Sequence, residues 1–154
     1  MTIRRAGSRD IPVLAGIAER SYRSAFADIL EPAILEGRNA SFFEGLFRES
    51  LERLTLAESL GAPVGFLVVT DGHVDMLFVD PEAFGHGVGS ALLAHAEASG
   101  ATSLECFADN HPARRFYTRN GWLLTRTYER VFAGRLRGFV RFEKGGAGSP
   151  PRSG

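Results

Sequence analysis

The sequence predicts an α/β (α+β) fold: a single mixed, mainly antiparallel central sheet of about seven strands flanked by about four helices. Three observations carry this reading. Residues 54–79 form short apolar runs around two turn signals, as an antiparallel meander does. Past Asp80-Pro81 the apolar period changes from two to 3.6, through a glycine-rich loop into an alanine-rich helix. A strand at Ser103–Phe107 follows that helix, and a strand–helix–strand connection implies a parallel pair.

The elements follow in order. Thr2 to Ala6 reads as a short strand, and Ser8 or Asp10 can cap a helix with Ile11, Leu14, Ile17 and Ala18 at three-and-four spacing, continued by Tyr22 and Phe26. Pro32 and Gly37 interrupt residues 28–40, and a second helix from Ser41 places Phe42, Phe43, Leu46 and Phe47 on an apolar stripe. Leu54 and Leu56 alternate with Thr55 and Ala57 as in a strand, Gly61 to Pro63 turns, and Val64–Thr70 is a strongly apolar strand. Asp71-Gly72 is a short-hairpin signal, so Val74–Val79 should pair back. After the Ser90–Ala98 helix and the 103–107 strand, Asn110 caps another helix, with Pro112 in its permitted first turn and Gly121 just past its end. Strands near Trp122–Val131 and Leu136–Phe142 complete a domain spanning 1–144. The 145–154 tail is glycine, proline and serine with little to bury, and is expected to be disordered.

Composition narrows the function classes. The chain has 154 residues, 44% hydrophobic and 23% charged, with zero formal net charge, the size of one globular domain. No apolar run approaches the ~18–20 residues of a membrane span, and Arg4 and Arg5 lack the apolar stretch of a signal peptide behind them. A cytoplasmic location is the default expectation. A lone Cys106 makes no internal disulfide, and His73, His95 and His111 match no metal spacing, so no metal is expected. Neutrality conceals a split: residues 61–112 carry 7 acidic and no basic side chains, whereas residues 113–154 carry 10 basic and 2 acidic ones. Arg126, Arg130, Arg135, Arg137 and Arg141 could form a nucleic-acid surface, or they could be charge on a solvated sheet edge, which is the blander reading.

Two constellations carry chemistry. Gly85, Gly87 and Gly89 alternate at the start of a helix, where turned peptides and the helix dipole create a concavity for a pyrophosphate. No lysine follows Gly89, as a kinase-style phosphate loop requires, and the spacing is not that of a dinucleotide fingerprint, so an empty glycine turn stays open. Downstream, Ala113, Phe116, Tyr117 and Asn120 share one helix face. Alone, Tyr117 reads first as a core tyrosine with a partnered hydroxyl, and second as a proton donor to a leaving group.

Together, Val79-Asp80-Pro81, Gly85-His86-Gly87-Val88-Gly89, Leu92-Leu93 and Asn110-x-x-Ala113-x-x-Phe116-Tyr117-x-x-x-Gly121-Trp122 resemble the GNAT superfamily of acetyl-CoA-dependent N-acetyltransferases, the match being strongest over 73–122. The resemblance implies that Gly85, His86, Gly87, Val88, Gly89 and Ser90 hold the pyrophosphate of acetyl-CoA. It implies that Leu77, Phe78 and Val79 splay from the neighbouring parallel strand to bond the pantetheine arm through main-chain groups. Asn110 would contact that arm near the sulfur, and Tyr117 would protonate the departing thiolate. One departure is Phe84, where the family's loop often has Arg or Gln. Arg114, with Arg115, either reaches the outer phosphate or is solvated.

Leu104-Glu105-Cys106 ahead of Asn110 and Tyr117 is similar to the ribosomal-protein alanine acetyltransferase branch, in which a glutamate at this place is the base. Glu105, its pKa raised by an apolar strand, is therefore one candidate; an outward-facing glutamate is the alternative. Asp75, alternating with Leu77 and Val79, either orients the acceptor or supports the adjacent turn. Cys106 reads as a small buried hydrophobe. Tyr22 and Phe26 are core by spacing, and by the resemblance candidates to line the acceptor site. The resulting expectation is transfer of an acetyl group from acetyl-CoA to a primary amine, on a small molecule or on a peptide or protein, by direct attack, with no membrane partner and with a homodimer admitted. The alternatives are an inactive CoA-binding module and the arginine-rich nucleic-acid binder.

Overall fold

The computed structural model describes residues 1–145; the tail expected to be disordered lies, past Gly145, outside them. Seven strands form one sheet: β1 (Thr2–Arg5), β2 (Leu54–Ser59), β3 (Ala62–Thr70), β4 (His73–Val79), β5 (Ser103–Phe107), β6 (Trp122–Phe132) and β7 (Arg135–Lys144), in the order β1-β2-β3-β4-β5-β7-β6. Every neighbouring pair is antiparallel except β4–β5. The helices are α1 (Ile11–Phe26), α2 (Pro32–Gly37), α3 (Ala40–Glu49), α4 (Val88–Ala98) and α5 (His111–Arg119). The mixed sheet is as expected, with five helices against the four expected.

The extra helix is α2. Pro32 and Gly37, read as interruptions, mark its start and end: Pro32 occupies the first turn, where a missing N–H costs nothing. Helix α3 starts at Ala40, one residue early, because the Asn39 side chain accepts from the Phe42 N–H at 2.9 Å. Asp71 and Gly72 both have positive φ, 50° and 79°, the signature of a tight hairpin turn whose twist matches its strands. Asn110 caps α5 as expected, its side chain accepting from the Ala113 N–H.

The sheet separates two apolar cores. On one face α1 and α3 cover Leu54, Leu56, Phe66, Val68, Phe107 and Phe139. On the other, α4 and α5 cover Leu67, Val74, Leu104, Val140 and Phe142, with Trp122 closing the layer. Strand alternation therefore assigns Met76, Phe78, Glu105 and Phe107 to the α1 face, and Leu77, Val79, Leu104 and Cys106 to the α4 face.

The close fit of α4 onto the sheet depends on Gly65 in β3. A Cβ there would lie 2.9 Å from the Phe78 carbonyl oxygen and 3.1–3.2 Å from Val88 and Leu92. Gly65→Ala must therefore displace β4 or α4, and it should destabilise the protein by about 1–3 kcal/mol in urea unfolding. A change below about 0.5 kcal/mol would contradict this packing.

Candidate active site

The parallel contact between β4 and β5 covers only two residue pairs, His73 with Ser103 and Val74 with Leu104. Beyond these the strands part. A bulge contributes to the divergence: Val68 pairs with Met76 but Val69 with Val74, leaving Asp75 as the extra residue of β4. The Asp80 N–H donates to the Val64 carbonyl at 2.8 Å. Antiparallel alternation then turns the main-chain groups of Phe78 towards β3 and those of Leu77 and Val79 into the gap. The Val79 carbonyl accepts there from the Ser21 hydroxyl of α1 at 3.1 Å.

A cavity of about 790 Å³ runs through this fork. At one end lies the glycine loop. Gly85 and Gly87 have φ of 84° and 78°, and Gly87 is the N-cap of α4. The first amide of the helix to find a carbonyl is that of Ala91, on Gly87 at 3.1 Å. From Gly85 to Ser90 no amide has a partner among the described residues, so six consecutive N–H groups are available at a helix start. Gly89 serves another purpose: its Cβ would press on the Phe116 ring at 3.3 Å, so its absence lets α5 approach α4.

Tyr117 lines the α4 side of the fork. Its ring is buried beside Phe116 and Phe142, at centroid distances of 5.2 and 5.6 Å. Burial, and secondarily the neighbouring Cys106, push its hydroxyl well above the ordinary tyrosine range, so it stays protonated. Cys106 is likewise pushed up to about 12, chiefly by burial.

Glu105 departs from expectation. It does not face outward; it lines the cavity on the α1 side, where it accepts from the Tyr128 hydroxyl and from the Arg130 guanidinium, whose Nε lies 3.1 Å away. Burial alone would raise its pKa, but the Arg130 and Tyr128 hydrogen bonds outweigh burial and hold it below the usual glutamate value. The expected raised pKa is therefore corrected to a lowered one. Asp75 also lines the cavity, exposed and accepting from the Thr70 hydroxyl; because of the bulge, alternation from Leu77 does not extend to it.

Most of the other candidates converge on the cavity: Leu77, Phe78, Val79, Gly85, Gly87, Val88, Gly89, Ser90, Asn110, Tyr22 and Phe26 all line it. Two do not. His86 is exposed on the loop, outside the cavity wall. Arg114 donates to the Ala108 carbonyl at 2.8 Å and lines a separate surface hollow. Arg119 lines the main cavity instead, one turn beyond Phe116. Sequence reasoning missed Arg38, Tyr128 and Arg130, whose places depend on the α2–α3 junction and on strand register. Of the arginines considered for nucleic acid, Arg130 pairs with Glu105, Arg135 and Arg137 with Glu31, and Arg141 with Glu143, while Arg126 lies over the Tyr128 ring at 4.9 Å. They are largely used inside the fold. No group of three metal-ligating side chains occurs among the described residues, and no described helix is long and apolar enough to cross a membrane.

The cavity thus joins the fork of the mixed sheet to a row of bare amides at one helix mouth. The family model described as an acetyltransferase (GNAT) domain matches residues 50–122. The peptidyl-lysine N-acetyltransferase YjaB of Salmonella typhimurium is 40% identical over 65 residues, a stretch covering 41% of this chain and 44% of that protein. The chain is thus matched over less than half the length of this curated relative. Among solved structures, a GCN5-related N-acetyltransferase from Rhodopseudomonas palustris superposes with a TM-score of 0.75 at 28% identity, over 93% of this chain and 94% of that one. The apo form of YjaB from Escherichia coli gives 0.75 at 29% identity, over 95% and 98%. These similarities, over the matched segment and over the whole fold, support the resemblance to the GNAT superfamily.

The Glu105–Arg130–Tyr128 cluster makes a testable contribution to stability. Because its folded pKa is depressed, the stabilisation from Glu105 is fully present above the ordinary value near 4.5 and is lost as pH falls through the lower folded value. The stability deficit of Glu105→Gln in urea unfolding should be constant from about pH 6 to 8 and shrink below about pH 4. A deficit that grows on acidification would reverse the assignment.

Proposed function

We propose that this protein is an acyl-CoA-dependent N-acetyltransferase that moves an acetyl group from acetyl-CoA to a primary amine within a ternary complex. The observation that carries the reading is the pairing of six free loop amides with a fork holding Tyr117, both lining one cavity. The GNAT resemblance and the peptidyl-lysine acetyltransferase relatives support an amine acceptor.

In this reading the amides from Gly85 to Ser90 and the α4 dipole hold the pyrophosphate, a cradle that needs no lysine. Phe84, 58% exposed beside it, offers the cofactor an apolar surface in place of a polar contact. The pantetheine arm completes the interrupted sheet through the Leu77 and Val79 main-chain groups, with Asn110 opposite. These contacts bring the thioester to the fork. The neutral amine attacks the thioester carbonyl carbon: the N–C bond forms, the C–S bond breaks, Tyr117 gives its proton to the leaving sulfur, and the surplus proton on the nitrogen passes through solvent to restore the Tyr117 hydroxyl. With Glu105 already held by two donors, Asp75, exposed and accepting from the neutral Thr70 hydroxyl, is the cavity carboxylate that attracts the ammonium and receives its proton. No covalent enzyme intermediate is involved.

Tyr117→Phe should lower kcat about 100-fold or more while changing the KM for acetyl-CoA less than about threefold. Equal losses in kcat and cofactor affinity would make Tyr117 a packing residue only. The unaltered rate–pH profile should show no falling limb from tyrosine ionisation below about pH 10, because burial keeps the hydroxyl protonated. Gly87→Glu places a β-carbon at a φ of 78° and a carboxylate among the loop amides. CoA binding by calorimetry should fall at least about 100-fold, with the fold retained by circular dichroism. Retained binding would remove the loop from the cofactor site.

A further inference from the structure

The α1 side of the cavity is lined chiefly by aromatic rings. Tyr22, Phe26, Phe42, Phe43, Phe107 and Phe132 line it, linked by edge contacts such as Tyr22 on Phe26 at 4.7 Å and Phe26 on Phe107 at 5.1 Å. Three arginines also border the cavity. Arg130 is neutralised by Glu105, and Arg119 stands in the last turn of α5. The third, Arg38, sits between α2 and α3 on the aromatic side.

Arg38 has no ion pair and no side-chain hydrogen bond among the described residues. It is held by ring faces, its guanidinium 4.6 Å from the Phe42 centroid and 5.6 Å from that of Phe132. A half-buried guanidinium stacked this way keeps its planar N–H fork available for a carboxylate. No acid among the described residues pairs with it: Glu105 pairs with Arg130, and Glu31 with Arg135 and Arg137.

We propose that Arg38 is a specificity-determining residue and that the acceptor is a small α-amino acid with an apolar or aromatic side chain. Its carboxylate binds Arg38, its side chain packs among the rings, and its amine points into the fork. This deepens the transferase reading above and rests on it. The atom balance is that already given: the α-amine nitrogen gains the acetyl carbon, the thioester sulfur leaves as thiol, and the product is an N-acetyl amino acid. Removing the carboxylate from such an acceptor orphans a partly desolvated cation, which discriminates more strongly than losing apolar area alone.

The test pairs each acid with its decarboxylated amine: phenylalanine with phenethylamine, and leucine with isoamylamine. In acetyl-CoA consumption assays kcat/KM for the acid should exceed that for the amine about tenfold or more, and in Arg38→Gln the ratio should drop to near one. Arg38→Lys, which keeps the charge but not the fork, should fall between. In parallel, phenylalanine binding to the CoA-loaded protein is measured by calorimetry and should weaken about 10–100-fold in Arg38→Gln. A ratio near one in the unaltered protein, a ratio unmoved by Arg38→Gln, or lysine peptides reacting while free amino acids do not, overturns the proposal and leaves the transferase reading standing. Phenylalanine bound through Arg38 with no amine acetylated sinks the transferase reading and, with it, the acceptor role, leaving an amino-acid site.

Discussion

The molecule depends on a parallel strand pair that is begun and then abandoned. Below the fork the chain fastens β4 to β5 firmly: the Gly72 carbonyl accepts from the amides of both Thr102 and Ser103, at 2.8 and 3.3 Å, and the His73 imidazole meets the Ser103 hydroxyl at 2.8 Å. Above it, β5 stays with β7 through five paired residues while β4 stays with β3. Neither strand can follow the other without giving up an established ladder. The open edge leaves main-chain donors and acceptors of Leu77 and Val79 without a strand partner, a costly arrangement in a core. In the proposed complex a ligand with amide groups takes the missing strand's place and satisfies them. The cavity in this gap is lined by residues of both faces of the sheet, such as Phe78 and Phe107 on one and Leu77 and Tyr117 on the other. In the proposed reaction a donor on the α4 face and an acceptor on the α1 face meet in this gap.

Charge follows the same geometry. Two ion pairs join the acidic middle of the sequence to its basic end, Glu105 with Arg130 and Glu97 with Lys144, while Arg135 and Arg137 reach back to Glu31. Arg137 is buried against Glu31, and it also donates to the Phe132 carbonyl at 2.8 Å, tying the β6–β7 hairpin to the segment ahead of α2. Lys144 reaches Glu97 at 3.3 Å, and Glu97 in turn accepts from the buried Trp122 indole at 2.7 Å. Arg20 joins α1 to Asp80 at the end of β4. Such exposed and half-exposed pairs add little stability individually. Their effect is positional: they set where the hairpin and α1 stand over the fork, and so shape the aromatic side of the cavity.

What was legible in the sequence was whatever a local backbone or a short periodicity demands. Asp71-Gly72 needs positive φ, Asn110 needs a nearby amide to cap, and Gly85 and Gly87 need a conformation that other residues resist. The Tyr117 face was legible from helical spacing. Features set by distant pairing were not. The bulge at Asp75 appears only when β3 is laid against β4, since no residue there advertises it. The partners of Glu105 lie 23 and 25 positions along the chain, on β6, a strand whose extent was expected to within a residue but whose bulge and register against β7 were not readable. Arg114 and Arg119 both lie on α5, and which one borders the cavity depends on how α5 rotates over α4, a rotation fixed by Phe116 against the bare Cα of Gly89. Arg38 was invisible for a similar reason: its segment read as irregular, and the stacking that holds it comes from α3 and β6.

Desolvation at the fork has a selective consequence for the proposed chemistry. The α4 side holds two groups capable of nucleophilic or acid–base roles, Tyr117 and Cys106, close enough to influence each other. A thiolate there would compete with the amine for the thioester, diverting the acetyl group onto the protein. Burial raises both groups in the same direction: Cys106 to about 12, so that at neutral pH it is an uncharged thiol, and Tyr117 further still. The same apolar walls that keep the tyrosine protonated and ready to donate therefore also suppress the competing nucleophile. The α1 side lacks that protection, and there ion pairing governs: Arg130 and Tyr128 keep Glu105 charged but occupied. One side of the fork is thus tuned to retain its protons and the other to hold fixed charge, a division suited to a leaving group that must gain a proton and a nucleophile that must lose one.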